Sequence, residues 1–206
     1  QESQSFFTEI FNDIRQKQRA GLLSSVFLLS VFLTANGVSS IFSSFEGSYH
    51  VELSRSFIRQ YLYSMMVGIL LALLLLVGVM ALIFFEIFIF SNLDELIPSE
   101  VNWIRIGQLF FYTVLIYISV AILYYFGTIE GKKTRFFSPG ALMSCLLILI
   151  TTYLFGIYIE NFSTYNQLYG SIGALLIFLF YIWLNSSILL LGFELNATLN
   201  RLKNTG

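Results

Sequence analysis

A short set of polar side chains interrupts the last long apolar stretch of the chain. Asn185 lies near the middle of that stretch, Ser186 follows it, and Tyr181 precedes it by four residues. A helix places residues four apart on one face, so Tyr181 and Asn185 would lie side by side. Polar groups are costly inside a membrane and often mark the route of a substrate or ion. These side chains are therefore candidates for lining a polar path.

Two carboxylates lie near the ends of apolar segments. Glu194 follows Asn185 by nine residues, which is about 13 Å along a helix. Glu160 ends the preceding apolar segment, near the opposite membrane face. We expect Glu194 to bind a proton, a cation or a polar headgroup, with Glu160 as its counterpart.

Each of these residues also has a structural interpretation. Asn185 could form a hydrogen bond between helices, and Glu194 could pair with a lysine or arginine from a neighbouring loop. Tyr181 could contribute packing alone, as aromatic residues in membrane helices commonly do. The sequence does not decide between the structural and the functional interpretations.

The elements that must position these residues are apolar helices. The 206 residues are 57% hydrophobic and only 11% charged, against about 25% charged in soluble domains. About 20 apolar residues in a helix cross a bilayer core. The fold class predicted is therefore all-α, a single polytopic transmembrane bundle over 1–206. Its five spans are expected at about 20–45, 61–90, 103–126, 139–160 and 170–195.

Several local features refine this prediction. The pattern of 1–19 is typical of an amphipathic helix at the membrane surface, although an ordinary helical extension fits it equally. Ser138 is placed to cap the fourth helix, and Pro139 fits its first turn. Small residues at the head of the last helix, together with one glycine near its foot, predict close helix packing; they are Gly170, Ser171, Gly173, Ala174 and Gly192.

The distribution of lysine and arginine predicts an orientation. Placing the 196–206 tail in the cytoplasm puts seven basic residues on that side of the five spans and four on the other, as the positive-inside rule prefers. The weak point is the basic N-terminal segment, which five spans would put outside. We expect a further helix upstream of Gln1, giving six spans in the full-length protein.

Composition also narrows the classes of function. We expect no catalytic residues, no cofactor and no metal site, because one histidine (His50) and one cysteine (Cys145) cannot build a common zinc site. The net charge of −1 and the lack of a basic, aromatic strip argue against binding nucleic acid. Scattered carboxylates likewise argue against a metal-dependent ribonuclease.

The last helix resembles that of the YihY/BrkB family of bacterial inner-membrane proteins. The head YGSIGA at 169–174 and the foot LLLGFELNA at 189–197 match the family pattern, as does Pro139-Gly140-Ala141 before them. The chain departs from the pattern at Asn185 and Ser186, where small or apolar residues are usual, and at Phe193. The order of Tyr181 and Trp183 is also reversed. These departures affect how closely an interior site would follow that of the family, and they do not affect membership of the family.

The resemblance implies about six membrane helices with both ends in the cytoplasm, in the bacterial inner membrane. Family members have been described as ribonucleases, as virulence or serum-resistance factors and as candidate transporters. From the residues, the leading hypothesis is a transporter or lipid translocator with a polar path beside the last helix. The alternative is a non-transporting scaffold or a subunit of an envelope complex. The expected partners are membrane lipids and, for the scaffold, other membrane proteins.

Overall fold

The described part of the chain consists of five long helices. The computed structural model describes residues 20–47, 55–85, 103–128, 136–162 and 166–205. The helices run in the order α1 (Ala20–Glu46), α2 (Phe57–Phe84), α3 (Trp103–Gly127), α4 (Pro139–Phe162) and α5 (Asn166–Thr205). No strand occurs among these residues.

Each helix contains an apolar stretch of 21 to 29 residues, which is long enough to cross the hydrocarbon core of a bilayer. A helix satisfies its own backbone hydrogen bonds, so this architecture suits a medium that offers none. Most side chains of these stretches face outward, as a membrane permits. The prediction of an all-α membrane bundle is confirmed.

The buried side chains concentrate at one end of the bundle, which we call the packed end. The C-terminal ends of α1 and α3, the N-terminal ends of α2 and α4, and the second half of α5 meet there. Phe45 of α1 stacks on Phe193 of α5 with 4.4 Å between ring centroids, and Tyr124 of α3 lies edge-on to both rings. We call the opposite end the open end, because few of its described side chains are buried.

Arg55 fastens the link between α1 and α2 to the packed end. Its Nη1 donates to the backbone oxygens of Phe126 (2.7 Å) and Gly127 (3.2 Å), which close α3. A cation at a helix C-terminus also compensates the helix dipole. Burial lowers the pKa of the Arg55 guanidinium, while the nearby Glu46 carboxylate and Tyr63 act to raise it. Arginine nevertheless stays charged at neutral pH.

Two helices differ in extent from the spans expected at 61–90 and 170–195. α2 begins at Phe57, directly after the extended residue Ser56. α5 continues to Thr205 because 196–204 contains no glycine or proline that would end it. Its 40 residues measure about 60 Å, twice the thickness of a bilayer core. The surface helix predicted for 1–19 lies outside the described residues.

Candidate functional site

One face of α5 is turned towards α4, and several polar side chains occur along it. Tyr181, Asn185, Ile188, Gly192 and Asn196 recur every three or four residues, so they form a single stripe along the helix. α4 and α5 pack closely against each other. The stripe therefore runs from the open end to the packed end along the α4–α5 interface.

Towards the open end, the two helices enclose a groove of about 490 Å³, within the roughly 300–1,000 Å³ typical of small-molecule sites. We call it the α4–α5 groove. Its walls are almost entirely aliphatic and aromatic. They are formed by Thr151, Leu154, Phe155 and Tyr158 of α4 and by Leu176, Ile177, Phe180, Tyr181 and Leu184 of α5.

The groove opens sideways into the surroundings of the bundle. Leu154, Leu176 and Phe180 each expose more than half of their surface, at 58%, 62% and 58%. Because both helices are long enough to span a membrane, this opening would face lipid. A lipid tail could therefore enter without passing through water.

A pair of hydroxyl groups forms the polar feature beside this groove. The Thr152 Oγ1 and Tyr181 hydroxyl lie 2.8 Å apart in a hydrogen bond that either group could donate. The Tyr181 ring stacks on Phe155 with 4.3 Å between centroids. The stacking fixes the ring, so the hydroxyl is held between the helices.

Asn185 lies one turn further towards the packed end. Its Nδ2 donates to the backbone oxygen of Tyr181 at 2.8 Å. Its Oδ1 is buried and has no hydrogen-bond partner among the described residues. Leaving such an acceptor unsatisfied costs free energy. The amide oxygen is therefore an unsatisfied acceptor that is sealed inside the apolar span.

Between Asn185 and the packed end, hydrogen bonds from α3 and α4 to α5 close the α4–α5 interface. The Tyr124 hydroxyl donates to the backbone oxygen of Leu189 (2.7 Å) and lies 2.6 Å from Ser144 Oγ. Ser144 Oγ also lies 3.2 Å from the backbone oxygen of Ile188. Serine and tyrosine thus satisfy α5 carbonyl groups across the interface.

Two glycines allow α4 and α5 to touch at this closed region. A Cβ added to Gly140 would collide with the backbone oxygen of Gly192. One added to Gly192 would collide with Ser144 Oγ and lie 2.7 Å from the Gly140 oxygen. Only glycine fits at either position without a shift of the helices.

Asn196 completes the closure by capping α4 from α5. Its Oδ1 accepts from the Gly140 N–H at 2.8 Å, and its Nδ2 donates to Ser138 Oγ at 2.8 Å. Ser138 Oγ in turn accepts from the Ala141 N–H at 3.3 Å, which confirms the predicted cap. We call Ser138, Gly140, Ser144, Gly192 and Asn196, together with Tyr124, the glycine junction.

Comparison with known proteins places this architecture in a family. The family model described as virulence factor BrkB matches residues 1–206. The chain belongs to the BrkB family. It is thus a multi-pass membrane protein, and the resemblance drawn from its last helix is confirmed.

Individual relatives are about one quarter identical to this BrkB-family chain over the residues that align. A ribonuclease-like protein of Bacillus subtilis (strain 168), YfkH, is 28% identical over 204 residues, which cover 97% of this chain and 73% of the relative. A UPF0761 membrane protein of Xanthomonas campestris pv. campestris (strain B100) is 25% identical over 198 residues, covering 96% of this chain. The chain spans only 44% of that relative's length. No solved structure matches the chain.

The structure brings together some of the residues predicted for a polar path. Tyr181 and Asn185 share the α4-facing stripe, whereas Ser186 is exposed and donates to the Ile182 backbone oxygen at 2.9 Å. Glu194 is half-buried and lies two residues beyond Gly192, about 200° around the helix. It therefore lies on the side of α5 away from α4.

The remaining predicted residues lie at the open end. Glu160 belongs to α4, while Gly170, Ser171 and Ala174 belong to the first turns of α5. The side chains of all four lie outside the described part of the chain. Gly173 is buried. Within the described residues, no group of three or more potential metal ligands comes together.

Sequence reasoning missed the partners supplied by α3 and α4. Thr152, Ser144 and Tyr124 are single polar residues in apolar runs, and nothing in their spacing distinguishes them from surface positions. Asn196 was noted only as part of the matched motif. One sequence feature could have indicated this contact. Pro139-Gly140-Ala141 and the segment from Gly192 to Asn196 both belong to the family pattern, and two motifs of one pattern are candidates for touching in the fold.

Proposed function

We propose that this BrkB-family protein moves membrane lipids between leaflets of the bacterial cytoplasmic membrane. The observation that carries the proposal is the α4–α5 groove, which is apolar, open to the side and bordered by the Thr152–Tyr181 hydroxyl pair. A lipid tail would occupy the apolar groove. Its headgroup would follow the polar stripe of α5.

The glycine junction supports a transport cycle because it closes the interface below the groove. A path that is open at one end and sealed at the other suits alternating access, in which packed elements rock against each other around a central site. Asn185 lies between the groove and the seal. In this account, separation of Gly140 from Gly192 would open the path towards the packed end.

The charges of the chain support an orientation with the packed end in the cytoplasm. Loops 47–56 and 128–138 and the tail after Asn196 all adjoin that end. These three segments carry six basic residues, which are Arg55, Lys132, Lys133, Arg135, Arg201 and Lys203, and Arg59 adds a seventh in the first turn of α2. Basic residues are retained on the cytoplasmic side of membrane proteins. The groove then opens in the outer half of the membrane.

Reconstitution tests the proposal. The purified full chain is placed in vesicles that contain a phospholipid with a fluorescent acyl chain, and dithionite is added outside to bleach the exposed dye. We expect bleaching to exceed the outer-leaflet fraction, because lipid crosses during the assay. A signal equal to that of protein-free vesicles would contradict the proposal.

Two tryptophan variants locate the path. Ile177→Trp fills the α4–α5 groove, whereas Leu175→Trp adds the same bulk at an exposed position outside the groove lining. We expect the first to slow translocation strongly and the second to leave it near the wild-type rate. Equal rates for the two variants would remove the groove from the mechanism.

A further inference from the structure

We propose that Asn185 is a built-in weak point of the closed α4–α5 interface. Its sealed oxygen disfavours the closed conformation, and opening of the interface supplies the hydrogen-bond donor that this oxygen lacks. The inference rests on the proposed function, because it names the residue that keeps the transport path able to open. It comes from one unsatisfied atom and from the hydrogen bonds on either side of it.

The orientation of the Asn185 amide is fixed by its own helix. Its Nδ2 donates to the Tyr181 backbone oxygen at 2.8 Å, so an exchange of the two amide atoms would set two oxygens against each other. The Oδ1 therefore points away from that carbonyl group, and it is buried and meets no donor among the residues that the structure covers. A buried acceptor without a donor destabilises the conformation that buries it.

At the level of Asn185, α4 presents an apolar side chain. The Thr152–Tyr181 pair joins α4 to α5 on one side of Asn185, and the bond of Ser144 to the α5 backbone joins them on the other. Midway between Thr152 and Ser144 in α4 lies Ile148, which is hydrophobic and partly buried. The closed register of the two helices thus satisfies the polar groups on both sides of Asn185 and leaves its oxygen without a partner.

This arrangement suits an interface that has two discrete states. The hydrogen bonds of the glycine junction hold the closed state together, while the oxygen of Asn185 opposes it. When α4 and α5 separate, water reaches the oxygen and removes the penalty. A penalty confined to one of two conformations shifts the equilibrium towards the other. For one unsatisfied acceptor, the shift amounts to about tenfold.

Two variants remove the unsatisfied oxygen in different ways. Asn185→Leu replaces the amide by an apolar group of similar shape. Asn185→Ser supplies a hydroxyl that can donate to the backbone oxygen four residues earlier, as Ser186 and Ser187 already do. Serine resembles asparagine in helix propensity, so this variant leaves the intrinsic stability of α5 nearly unchanged.

The proposal predicts opposite effects on stability and on transport. In the full chain, Asn185→Leu should raise the equilibrium constant for folding about tenfold and slow lipid translocation by a similar factor. The matched control is Ser186→Ala at the neighbouring exposed position, which should change neither quantity. If Asn185→Leu and Asn185→Ser both lowered stability, the amide would be an ordinary structural group and the inference would be overturned.

Thiol labelling reports the opening without relying on lipid movement. In the full chain with Cys145→Ala, the substitution Ile188→Cys places one thiol at a buried position on the α4-facing stripe. A small maleimide should reach this thiol only when the interface opens. We expect labelling to be about tenfold slower with Asn185→Leu or Asn185→Ser and unchanged with Ser186→Ala. Equal labelling rates in all variants would overturn the inference, whatever their stabilities.

The outcomes separate this inference from the proposed function. Slower labelling in the Asn185 variants, in vesicles where the parent protein moves no lipid, would refute the translocator and leave the weak point standing. Lipid movement with equal labelling rates would refute the weak point and leave the translocator standing. A structure of the closed interface with an ordered water bonded to Asn185 Oδ1 would also overturn the inference, because the oxygen would then be satisfied.

Discussion

Gly192 shows how one residue sets the distance between two membrane helices. Its hydrogen lies against Ser144 and the backbone of Gly140, where any side chain would collide. The close approach lets Tyr124, Ser144 and Asn196 reach backbone groups on the opposite helix. In a membrane, such contacts take the place of the hydrophobic effect in holding helices together.

A pair of glycine substitutions tests this role. Gly192→Ala should destabilise the protein by about 1–3 kcal/mol, the usual cost of overpacking. Gly156→Ala on α4 is the control, because nothing lies within 4 Å of its added Cβ; it should be neutral or stabilise by about 0.5–1 kcal/mol through helix propensity. The free energy of unfolding in mixed micelles measures both. Equal values for the two variants would show that the junction is not tightly packed.

Asn185 and Asn196 illustrate what the same residue type does in two settings. Asn196 satisfies both ends of its amide against α4, so it acts as a helix cap supplied by another helix. Asn185 donates one N–H to its own helix, and its oxygen has no partner in the part of the chain that the structure describes. The sequence alone marked Asn185 as the unusual residue, whereas only the structure reveals the use of Asn196.

At the scale of elements, hydropathy was enough to find the five helices. Uninterrupted apolar runs of sufficient length leave few alternatives in a bilayer. The faces that meet could not be predicted, because Leu, Ile and Phe occur all around each helix and give no direction. Packing depends on small residues and hydroxyl groups, such as Gly140 and Ser144, whose partners lie far away in the chain.

The attachment of the α1–α2 link to α3 depends on Arg55. Arg55→Met would leave the closing carbonyl groups of α3 without this donor and should lower the free energy of unfolding by about 1.5–3 kcal/mol. Arg59→Met is the control, since Arg59 is exposed one turn later, and such surface changes usually lie within about 0.5 kcal/mol. Unfolding titrations measure both variants.

The pH dependence of the stability loss in Arg55→Met follows from the direction in which burial shifts the pKa of Arg55. Burial lowers the pKa of Arg55 in the folded protein, so the arginine would lose its proton more readily there than in the unfolded chain. That difference affects stability only at alkaline pH, near the pKa itself. The loss in Arg55→Met should therefore be constant across the neutral range. If this loss of unfolding free energy changed markedly between mildly acidic and neutral pH, a titrating group other than Arg55 would be responsible.

At the scale of the whole molecule, packing is unequal between the two ends. Phe45, Tyr124 and Phe193 bind three helices together at the packed end, while α4 and α5 leave a groove at the open end. The same asymmetry appears in the basic residues near the packed end. The packed end and the open end therefore differ both in side-chain packing and in the number of basic residues nearby.

Reporter fusions test the orientation. Green fluorescent protein joined after Gly206 should fluoresce, and alkaline phosphatase at the same position should be inactive, because the basic tail is expected to stay in the cytoplasm. A fusion in the 163–165 connection between α4 and α5 should give the opposite pattern. Active phosphatase at the C-terminus would reverse the orientation and place the groove in the inner half of the membrane.

The central claim is that the α4–α5 groove holds a membrane lipid. The most direct measurement is a structure of the full chain in nanodiscs prepared with native lipids. We expect elongated density for an acyl chain along Tyr158, Ile177 and Leu184, with its headgroup directed towards the Tyr181–Thr152 pair. A groove filled by another part of the protein, with no lipid between α4 and α5, would contradict the account.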